Sequence, residues 1–327
     1  MELPEWANVM YDVIVFVGMT FVYIIESILL TFIPRNYRAK SMKGDIALIT
    51  GGAGGIGSLI AKKLAKLGAY VVIWDINKTG MESTVRAIRE NGGKCCCYYC
   101  DITNKEEVYK AAKTVEIEVG SVTLLINNAG YVYGKTLMDL PDDEIERTYR
   151  VNILSHYWTT KAFMKEMMKN NHGHIVTVAS VAGLLGTYKC TDYSATKFAA
   201  IGYHESLFSE LRADGYNGIH TTLVCPAYIN TDMFVGVTPR IPMLEPEHVA
   251  EEVVSGILVN QAVIVLPKTT RFLLPLKYLL PAKSCWALMY NILRGPQSMM
   301  TMKEKEEKQI LKNNNNFGII SNSAYAQ

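Results

Sequence analysis

Short apolar runs of strand length alternate with segments of helical pattern through most of the chain, over residues 44–267. Regular alternation of this kind is typical of a parallel β-sheet covered by helices on both faces. The runs predict strands at 46–50, 70–75, 94–100, 122–127, 174–180, 218–224 and 262–266. No internal repeat or long linker interrupts them. We therefore predict a single α/β domain over 44–267, built on a doubly wound parallel sheet of about seven strands.

A glycine-rich turn joins the first predicted strand to the first helix, with the sequence Thr-Gly-Gly-Ala-Gly-Gly-Ile-Gly at 50–57. Glycines here allow a tight turn and let a pyrophosphate approach the helix N-terminus. The second strand ends at Asp75, whose carboxylate can accept hydrogen bonds from adenosine ribose hydroxyls and repels a 2′-phosphate. No arginine lies beside Asp75. The pattern predicts a Rossmann-type dinucleotide site that prefers NAD, with NADP as the less favoured cofactor.

Tyr193 and Lys197 are four residues apart in a helical segment, a spacing that brings two side chains to one helix face. The phenol of tyrosine has an ordinary pKa near 10, and a nearby ammonium favours the phenolate. Such a pair can accept a proton near neutral pH. The same spacing also occurs by chance on solvated helix faces, so the pair alone does not decide between the two interpretations.

Other polar residues follow the ends of successive strands. The fourth strand ends in Asn-Asn-Ala-Gly at 127–130, the fifth ends at Ser180, and Asn152 lies in the helix between them. Each alone is equally typical of an ordinary turn or cap. Because the carboxyl ends of parallel strands meet at one crevice, these residues together with Tyr193 and Lys197 predict one site.

The combined motifs resemble the signature of the short-chain dehydrogenases/reductases over residues 42–267. Three further stretches, 32–34, 74–77 and 171–176, are similar to the branch that contains membrane-anchored 17-beta-hydroxysteroid dehydrogenases and epidermal retinol dehydrogenases. The resemblance implies an enzyme that transfers hydride between an alcohol and NAD. It departs at Ala227, where the family usually has glycine after the proline that closes the sixth strand.

The resemblance also implies a role for each site residue. Tyr193 is expected to be the acid/base, Lys197 to lower its pKa and bind the nicotinamide ribose, Ser180 to hydrogen-bond the reacting oxygen, and Asn152 to hold a water that completes a proton path. Asp101 matches the family's adenine contact. The expected cofactor contacts are Gly51, Gly55, Ile56, Gly57, Asp75, Asp101, Asn128, Ala129, Gly130, Tyr193, Lys197 and Thr231, the last of these at the carboxamide.

Residues 13–33 form an almost uninterrupted apolar run, with Glu26 as its main polar residue. A helix of about 21 residues reaches roughly 31 Å, close to the hydrocarbon thickness of a bilayer. Acidic residues precede the run and no small-residue cleavage site follows, which favours a retained anchor over a cleaved signal peptide. The basic stretch 35–43 then places the downstream domain in the cytosol. We predict a membrane anchor at 1–43; Glu26 leaves open a full span, a shallow hairpin or an interfacial helix.

Two segments follow the predicted domain. Residues 268–300 mix large apolar side chains with lysines and arginines, and Pro275 and Pro281 exclude a long helix. This composition suits either a lipid-facing surface or packing against the domain. Residues 301–327 are polar and are expected to be disordered.

Charge and cysteine content restrict the remaining functions. The net charge is +2, without the basic stripe of a nucleic-acid binder. The Lys-Cys-Cys-Cys-Tyr-Tyr-Cys stretch at 94–100 contains a Cys-x-x-Cys pair, but on a strand these thiols point to opposite faces. We therefore expect buried, reduced cysteines and no metal site. The His172-x-His174 pair lacks a third ligand nearby in sequence and is expected to be structural.

The anchor and an apolar loop at 232–246 favour a lipophilic alcohol or its carbonyl as substrate. The resemblance implies a substrate of retinol or 17-beta-hydroxysteroid type. The expected location is the endoplasmic reticulum membrane or a lipid droplet. Two alternatives remain open: an NADPH-dependent carbonyl reductase, and a non-catalytic lipid-droplet or reticulum surface protein that retains the nucleotide fold. Family members usually pair through the helices at 148–168 and 193–213, so the resemblance also implies a homodimer.

Overall fold

The computed structural model describes residues 4–303, and the chain divides after Lys40 into two compact units. The first unit contains helix α1, Glu5–Phe32, which buries none of its residues. At 1.5 Å rise per residue this helix is about 42 Å long, and it extends the predicted apolar run toward the N-terminus. Among residues 4–303, α1 is the one helix long and apolar enough to cross a membrane, with a mean hydropathy of 2.4 over its most apolar 18 residues. Its length and composition make it a candidate membrane segment.

The second unit contains the predicted doubly wound sheet, which is confirmed. Its strands are all parallel and lie in the order β3-β2-β1-β4-β5-β6-β7. They are β1 Ile46–Thr50, β2 Tyr70–Asp75, β3 Lys94–Tyr99, β4 Leu124–Asn127, β5 Gly173–Val178, β6 Ile219–Pro226 and β7 Val263–Leu266. The chain reverses its direction of winding between β1 and β4, and ligands of doubly wound sheets bind at such a switch point.

Helices cover both faces of this sheet and connect its strands. They are α2 Gly55–Lys66, α3 Lys78–Glu90, α4 Lys105–Glu118, α5 Asp142–Tyr149, α6 Ser155–Asn170, α7 Thr191–Ala213 and α8 Pro246–Leu258. Asn77 begins α3 by accepting a hydrogen bond from the backbone N–H of Gly80, and Asn104 caps α4 in the same way. The asparagine at the Asn-x-Thr sequence of residues 77–79 therefore serves as a helix cap.

The core consists of two apolar layers, one on each face of the sheet. Alternate residues of β1 enter different layers: Ala47 and Ile49 pack with α2, α3 and α8, whereas Leu48 packs with α4 and α6. Val71 and Val72 of β2 divide in the same way. Strands buried on both faces are expected to be apolar throughout rather than alternating, as these are.

The four clustered cysteines are less uniformly buried than predicted. Cys95 and Cys100 are buried, but Cys96 and Cys97 are only half-buried, because β3 is one of the two edge strands of the sheet. All four thiols are free, and burial raises the pKa of the Cys100 thiol to about 12. A thiol with so high a pKa is a poor nucleophile or metal ligand at neutral pH.

Beyond β7 the chain forms short helices, as the two prolines predicted. They are α9 Thr270–Leu273, α10 Leu276–Leu279, α11 Ala282–Ala287 and α12 Gly295–Met300. Large apolar side chains on the first three are exposed, with Phe272 at 80% and Trp286 at 68%. The last helix packs inward, and Met299 is fully buried. The C-terminal tail that was predicted to be disordered lies, from residue 304 onward, outside the described part of the chain.

Candidate active site

The turn between β1 and α2 requires glycine at particular positions. Gly51 has a φ of +69°, and a Cβ there would lie 2.9 Å from the Cα of Ala129. A Cβ on Gly57 would lie 2.3 Å from the carbonyl oxygen of Gly51, so this glycine lets α2 pack against the turn. Gly55, with a φ of +52°, faces open space. Close packing behind the turn and open space in front of it are what a bound pyrophosphate requires.

Hydrogen bonds join this turn to the loop after β4. The Thr50 hydroxyl accepts hydrogen bonds from the backbone N–H groups of Asn128 and Ala129, each at 3.1 Å. In return the Asn128 side-chain amide donates to the carbonyl oxygens of Thr50 at 2.9 Å and Gly51 at 3.2 Å. The two loops therefore form one rigid rim at the switch point of the sheet.

Two carboxylates mark the outer part of the crevice. Asp75, at the end of β2, accepts hydrogen bonds from the backbone N–H of Ala53 at 3.0 Å and of Asn77 at 2.9 Å. It thereby holds the glycine turn and remains half-exposed on the crevice wall. Asp101 follows β3 and accepts from the backbone N–H of Thr103 at 2.9 Å. Both lie where an adenosine is expected in this fold.

Asn152 lies in a π-helical turn, Arg150–Leu154, between α5 and α6. Its side-chain oxygen accepts from the backbone N–H of Tyr131 at 2.8 Å, and its amide donates to the Tyr131 carbonyl at 2.8 Å and to the Thr196 hydroxyl at 3.1 Å. The Thr196 hydroxyl in turn donates to the Tyr193 carbonyl at 2.7 Å. Single π-helical turns are frequent at functional sites, and this one ties the loop after β4 to the helix that carries Tyr193.

Tyr193, Lys197 and Ser180 converge at the carboxyl edge of the sheet. The Lys197 ammonium lies 5.6 Å from the centroid of the Tyr193 ring and donates to the carbonyl of Val178 at 2.9 Å. The Ser180 hydroxyl, which donates to the Pro226 carbonyl at 3.2 Å, also hydrogen-bonds Tyr193. Tyr193 and Lys197 are therefore on one helix face, as their spacing predicts, and that face is buried rather than solvated.

Burial changes the acid-base properties of this pair. Desolvation, followed by the nearby Cys190, raises the pKa of Tyr193, and the hydrogen bond between Tyr193 and Ser180 offsets only part of this rise. Desolvation also lowers the pKa of Lys197 to about 8. In the protein alone, the net change in the pKa of Tyr193 is therefore a rise, opposite in direction to the effect expected of Lys197. In a buried site without a counter-charge, the neutral form of each group is favoured.

A cavity of about 860 Å³ runs along this edge of the sheet, from the glycine turn to Tyr193. All the predicted site residues line it except Gly57 and Asn152, which lie immediately behind its wall. A Cβ on Gly130 would come within 3.8 Å of both the Asn152 side-chain oxygen and the Lys197 ammonium. The size of the cavity, the carboxylate at its outer end and the glycines that leave space in its wall fit a dinucleotide.

Tyr131 and its partners contribute to the site but were not identified from the sequence. Tyr131 donates from its hydroxyl to Glu144 at 2.6 Å, and the guanidinium of Arg147 lies 4.6 Å from its ring centroid. Tyr131 and its partners carry no sequence motif that distinguishes them. Met233 and Phe234, which belong to the apolar loop predicted to contact the substrate, line the cavity near Tyr193.

Comparison with known proteins shows the family to which this chain belongs. The family model described as "short chain dehydrogenase" matches residues 45–241. Estradiol 17-beta-dehydrogenase 11 of Pongo abelii is 44% identical over 273 residues, which are 83% of this chain and 90% of that protein. Epidermal retinol dehydrogenase 2 of Mus musculus is 42% identical over 278 residues, which are 84% of this chain and 89% of that protein.

Solved structures agree with the fold. A short chain dehydrogenase/reductase from Burkholderia phymatum in complex with NAD superposes with a TM-score of 0.68 at 26% identity, covering 73% of this chain and 95% of that one. A metagenomic short-chain oxidoreductase in complex with NADP superposes with a TM-score of 0.59 at 28% identity, covering 69% and 96%. The neighbours thus support a nicotinamide cofactor without distinguishing between the two.

Proposed function

Because the chain belongs to the short-chain dehydrogenase/reductase family and is an NAD(P)-dependent oxidoreductase, we propose that it interconverts a lipophilic alcohol and its carbonyl with NAD as cofactor. The observation that carries this proposal is the convergence of Ser180, Tyr193 and Lys197 at the inner end of a dinucleotide-sized cavity. Together these residues provide a hydrogen-bond donor, an acid/base and a cation at one point.

In the proposed oxidation, the phenolate form of Tyr193 takes the proton of the alcohol hydroxyl while the adjacent C–H bond breaks. When bound, the nicotinamide accepts the hydride. Ser180 donates a hydrogen bond to the reacting oxygen, which stabilises the negative charge that develops on it. Because desolvation raises the pKa of Tyr193 in the protein alone, the phenol holds its proton at neutral pH and is suited to donate it in carbonyl reduction.

Lys197 and Asn152 complete the proposed proton path. Lys197 holds the nicotinamide ribose through its ammonium and contributes the positive charge that favours the Tyr193 phenolate. The Asn152 side-chain oxygen and this ammonium each lie 3.8 Å from the position of a Cβ on Gly130, and both amide N–H groups of Asn152 are already bonded to Tyr131 and Thr196. A water beside Lys197 is therefore held through oxygen acceptors of Asn152.

The proposed cofactor contacts follow the lining of the cavity from its outer to its inner end. Asp75 binds the adenosine ribose hydroxyls, and its charge disfavours the 2′-phosphate of NADP. Asp101 contacts the adenine and Thr231 the carboxamide. The pyrophosphate lies along the glycine turn and the loop after β4, at Gly51, Gly55, Ile56, Asn128, Ala129 and Gly130.

The proposed substrate class rests on the relatives and on the apolar end of the cavity. The two relatives are named as dehydrogenases of estradiol and of retinol. Near Tyr193 the walls include Met233 and Phe234, which offer apolar contact to a substrate of this kind. Such substrates partition into lipid, and α1 supports a membrane location, which we propose to be the endoplasmic reticulum or a lipid droplet with the site facing the cytosol. A homodimer through α6 and α7 is proposed from the family resemblance.

The test is turnover by the purified full chain in detergent, measured as NADH formation from retinol and estradiol. Tyr193→Phe removes the hydroxyl and keeps the ring, and we expect a loss of at least about a hundredfold in kcat. NADH binding by the same variant serves as the control for an intact site. Equal turnover by Tyr193→Phe would refute the role of this residue. NADH binding without turnover of any lipid alcohol by the unmodified chain would support a non-catalytic surface protein.

A further inference from the structure

The last described residues of the chain, 295–303, pack along the loop that follows β6; we name them the C-terminal strap. The backbone N–H of Lys303 donates to the Val235 carbonyl at 2.9 Å, and that of Thr238 donates to the Ser298 carbonyl at 3.3 Å. The hydroxyls of Thr238 and Thr301 are 3.0 Å apart. Both backbone and side chains therefore fix the strap to the substrate-side loop.

The strap inserts two methionines beside Tyr193. Met299 is fully buried and Met302 is 4% exposed, and both belong to one apolar cluster with Tyr193, Cys190 and Val237. Met300, between them in sequence, is 50% exposed. The inward residues of the strap are therefore part of the apolar surroundings of the proposed acid/base, whereas its outward residue is not.

The packing around these methionines is tight. A Cβ on Gly134 would lie 2.8 Å from the Met302 methyl, and one on Gly236 would lie 2.6 Å from the Thr301 carbonyl oxygen. Phe234, which packs on the same cluster, lies edge-on to Tyr193 with ring centroids 6.1 Å apart and also lines the cavity. The methionines therefore support the cavity wall next to the reacting position from behind.

Methionine is suited to such a wall. It is unbranched and polarisable, so it can change rotamer to accommodate apolar groups of different shape at small cost. The family model matches residues 45–241 and ends before the strap begins. The support behind this part of the wall is therefore supplied by the chain beyond the region that the family model describes.

We propose that Met299 and Met302 set the size of the apolar group that the enzyme accepts next to the reacting carbon. This inference rests on the proposed function. Met299 and Met302 meet the proton path through the apolar cluster, so they act on substrate selection and not on the chemical step. Shortening the side chain of Met299 or Met302 enlarges the cavity next to Tyr193 and favours bulkier alcohols.

The experiment compares Met299→Ala and Met302→Ala with Met300→Ala, a matched control on the exposed side of the same strap. The full chain in detergent is assayed with a short linear primary alcohol and with retinol, and the ratio of the two kcat/KM values is measured. We expect each buried variant to change this ratio toward retinol by about tenfold, since a methylene-sized change in an apolar pocket has effects of this order. Met300→Ala should keep the original ratio.

Ratios within twofold of the unmodified enzyme in both buried variants would overturn the proposal, and so would an equal change in Met300→Ala. If an alanine variant does not fold, Met299→Leu and Met302→Leu keep the volume but introduce a branch. These variants should change the ratio by at least about threefold, and an unchanged ratio would overturn the proposal equally. Failure of the proposed function is recognised separately, as full turnover by Tyr193→Phe.

Discussion

Thr50→Val tests whether the rigid rim at the switch point depends on a single hydroxyl. Valine has nearly the shape of threonine, so the packing of this buried residue is kept. The change removes the acceptor of the backbone N–H groups of Asn128 and Ala129. It also removes a weaker bond of 3.4 Å that the hydroxyl donates to the Ile126 carbonyl.

The expected cost follows from those two N–H groups. A buried donor left without a partner costs about 1–3 kcal/mol. Asn128 and Ala129 are half-buried at the cavity edge, where water can replace the lost oxygen in part. We therefore expect a total of about 2–3 kcal/mol, equivalent to a decrease of roughly 5–10 °C in Tm for a domain of this size. Thr50→Ser, the control, keeps the oxygen and loses one methyl group, at about 1 kcal/mol.

The assay is thermal unfolding of both variants in the same detergent, followed by far-ultraviolet circular dichroism and accompanied by NADH titration. Thr50→Val should unfold at a lower temperature than Thr50→Ser and bind NADH more weakly, because the loop after β4 is no longer held against the glycine turn. Equal Tm values for the two variants would refute the reasoning, because the hydrogen bonds would then contribute no more than one methyl group.

Further predictions concern charge and protonation. Asp75→Ala should weaken NAD binding and improve NADP use, measured as the ratio of kcat/KM for the two cofactors; an unchanged ratio would contradict the assignment of Asp75. Since burial lowers the pKa of Lys197 to about 8, NADH affinity should be constant below that pH and decrease by up to about tenfold per pH unit above it, which fluorescence titration can follow. Burial lowers the pKa of His156 to about 3 and of His204 to about 4. The folded state therefore binds fewer protons than the unfolded one between pH 4 and 6.5, and the free energy of unfolding should decrease with falling pH there, by about 1.4 kcal/mol per pH unit for each histidine. Replacing either histidine with glutamine should reduce the slope of the free energy of unfolding, measured in urea, against pH. An unchanged slope would contradict the low pKa of the replaced histidine.

Most of the fold could be predicted because it follows from two simple sequence patterns. Apolar runs such as 46–50 are buried on both faces, and this is possible only within a sheet that helices cover on both sides. The runs also alternate with helices, which brings the carboxyl ends of the strands to one edge. Errors were confined to strand ends, as at the fifth predicted strand, which ends at Val178 rather than at Ser180. There the backbone leaves the sheet to place the serine hydroxyl in the site.

The candidate site was predictable only where its residues belong to local motifs. The glycine turn, Asp75 and the Tyr193–Lys197 pair are recognisable because their function requires particular residue types at short spacings. Tyr131 was missed because nothing in the sequence around it indicates that its backbone N–H and carbonyl both hydrogen-bond the Asn152 side chain.

The sequence by itself therefore determined the sheet, its binding edge and the residues gathered there, because hydrophobic period and strand-end motifs are local properties. Only the tertiary structure decided that Tyr193 is so deeply buried that desolvation raises its pKa. It also decided that Met299 and Met302 pack beside that tyrosine rather than on the apolar outer surface of the same segment. Desolvation and long-range apolar contacts depend on which distant segments enclose a residue. The residues adjacent to it in the chain do not determine which segments these are.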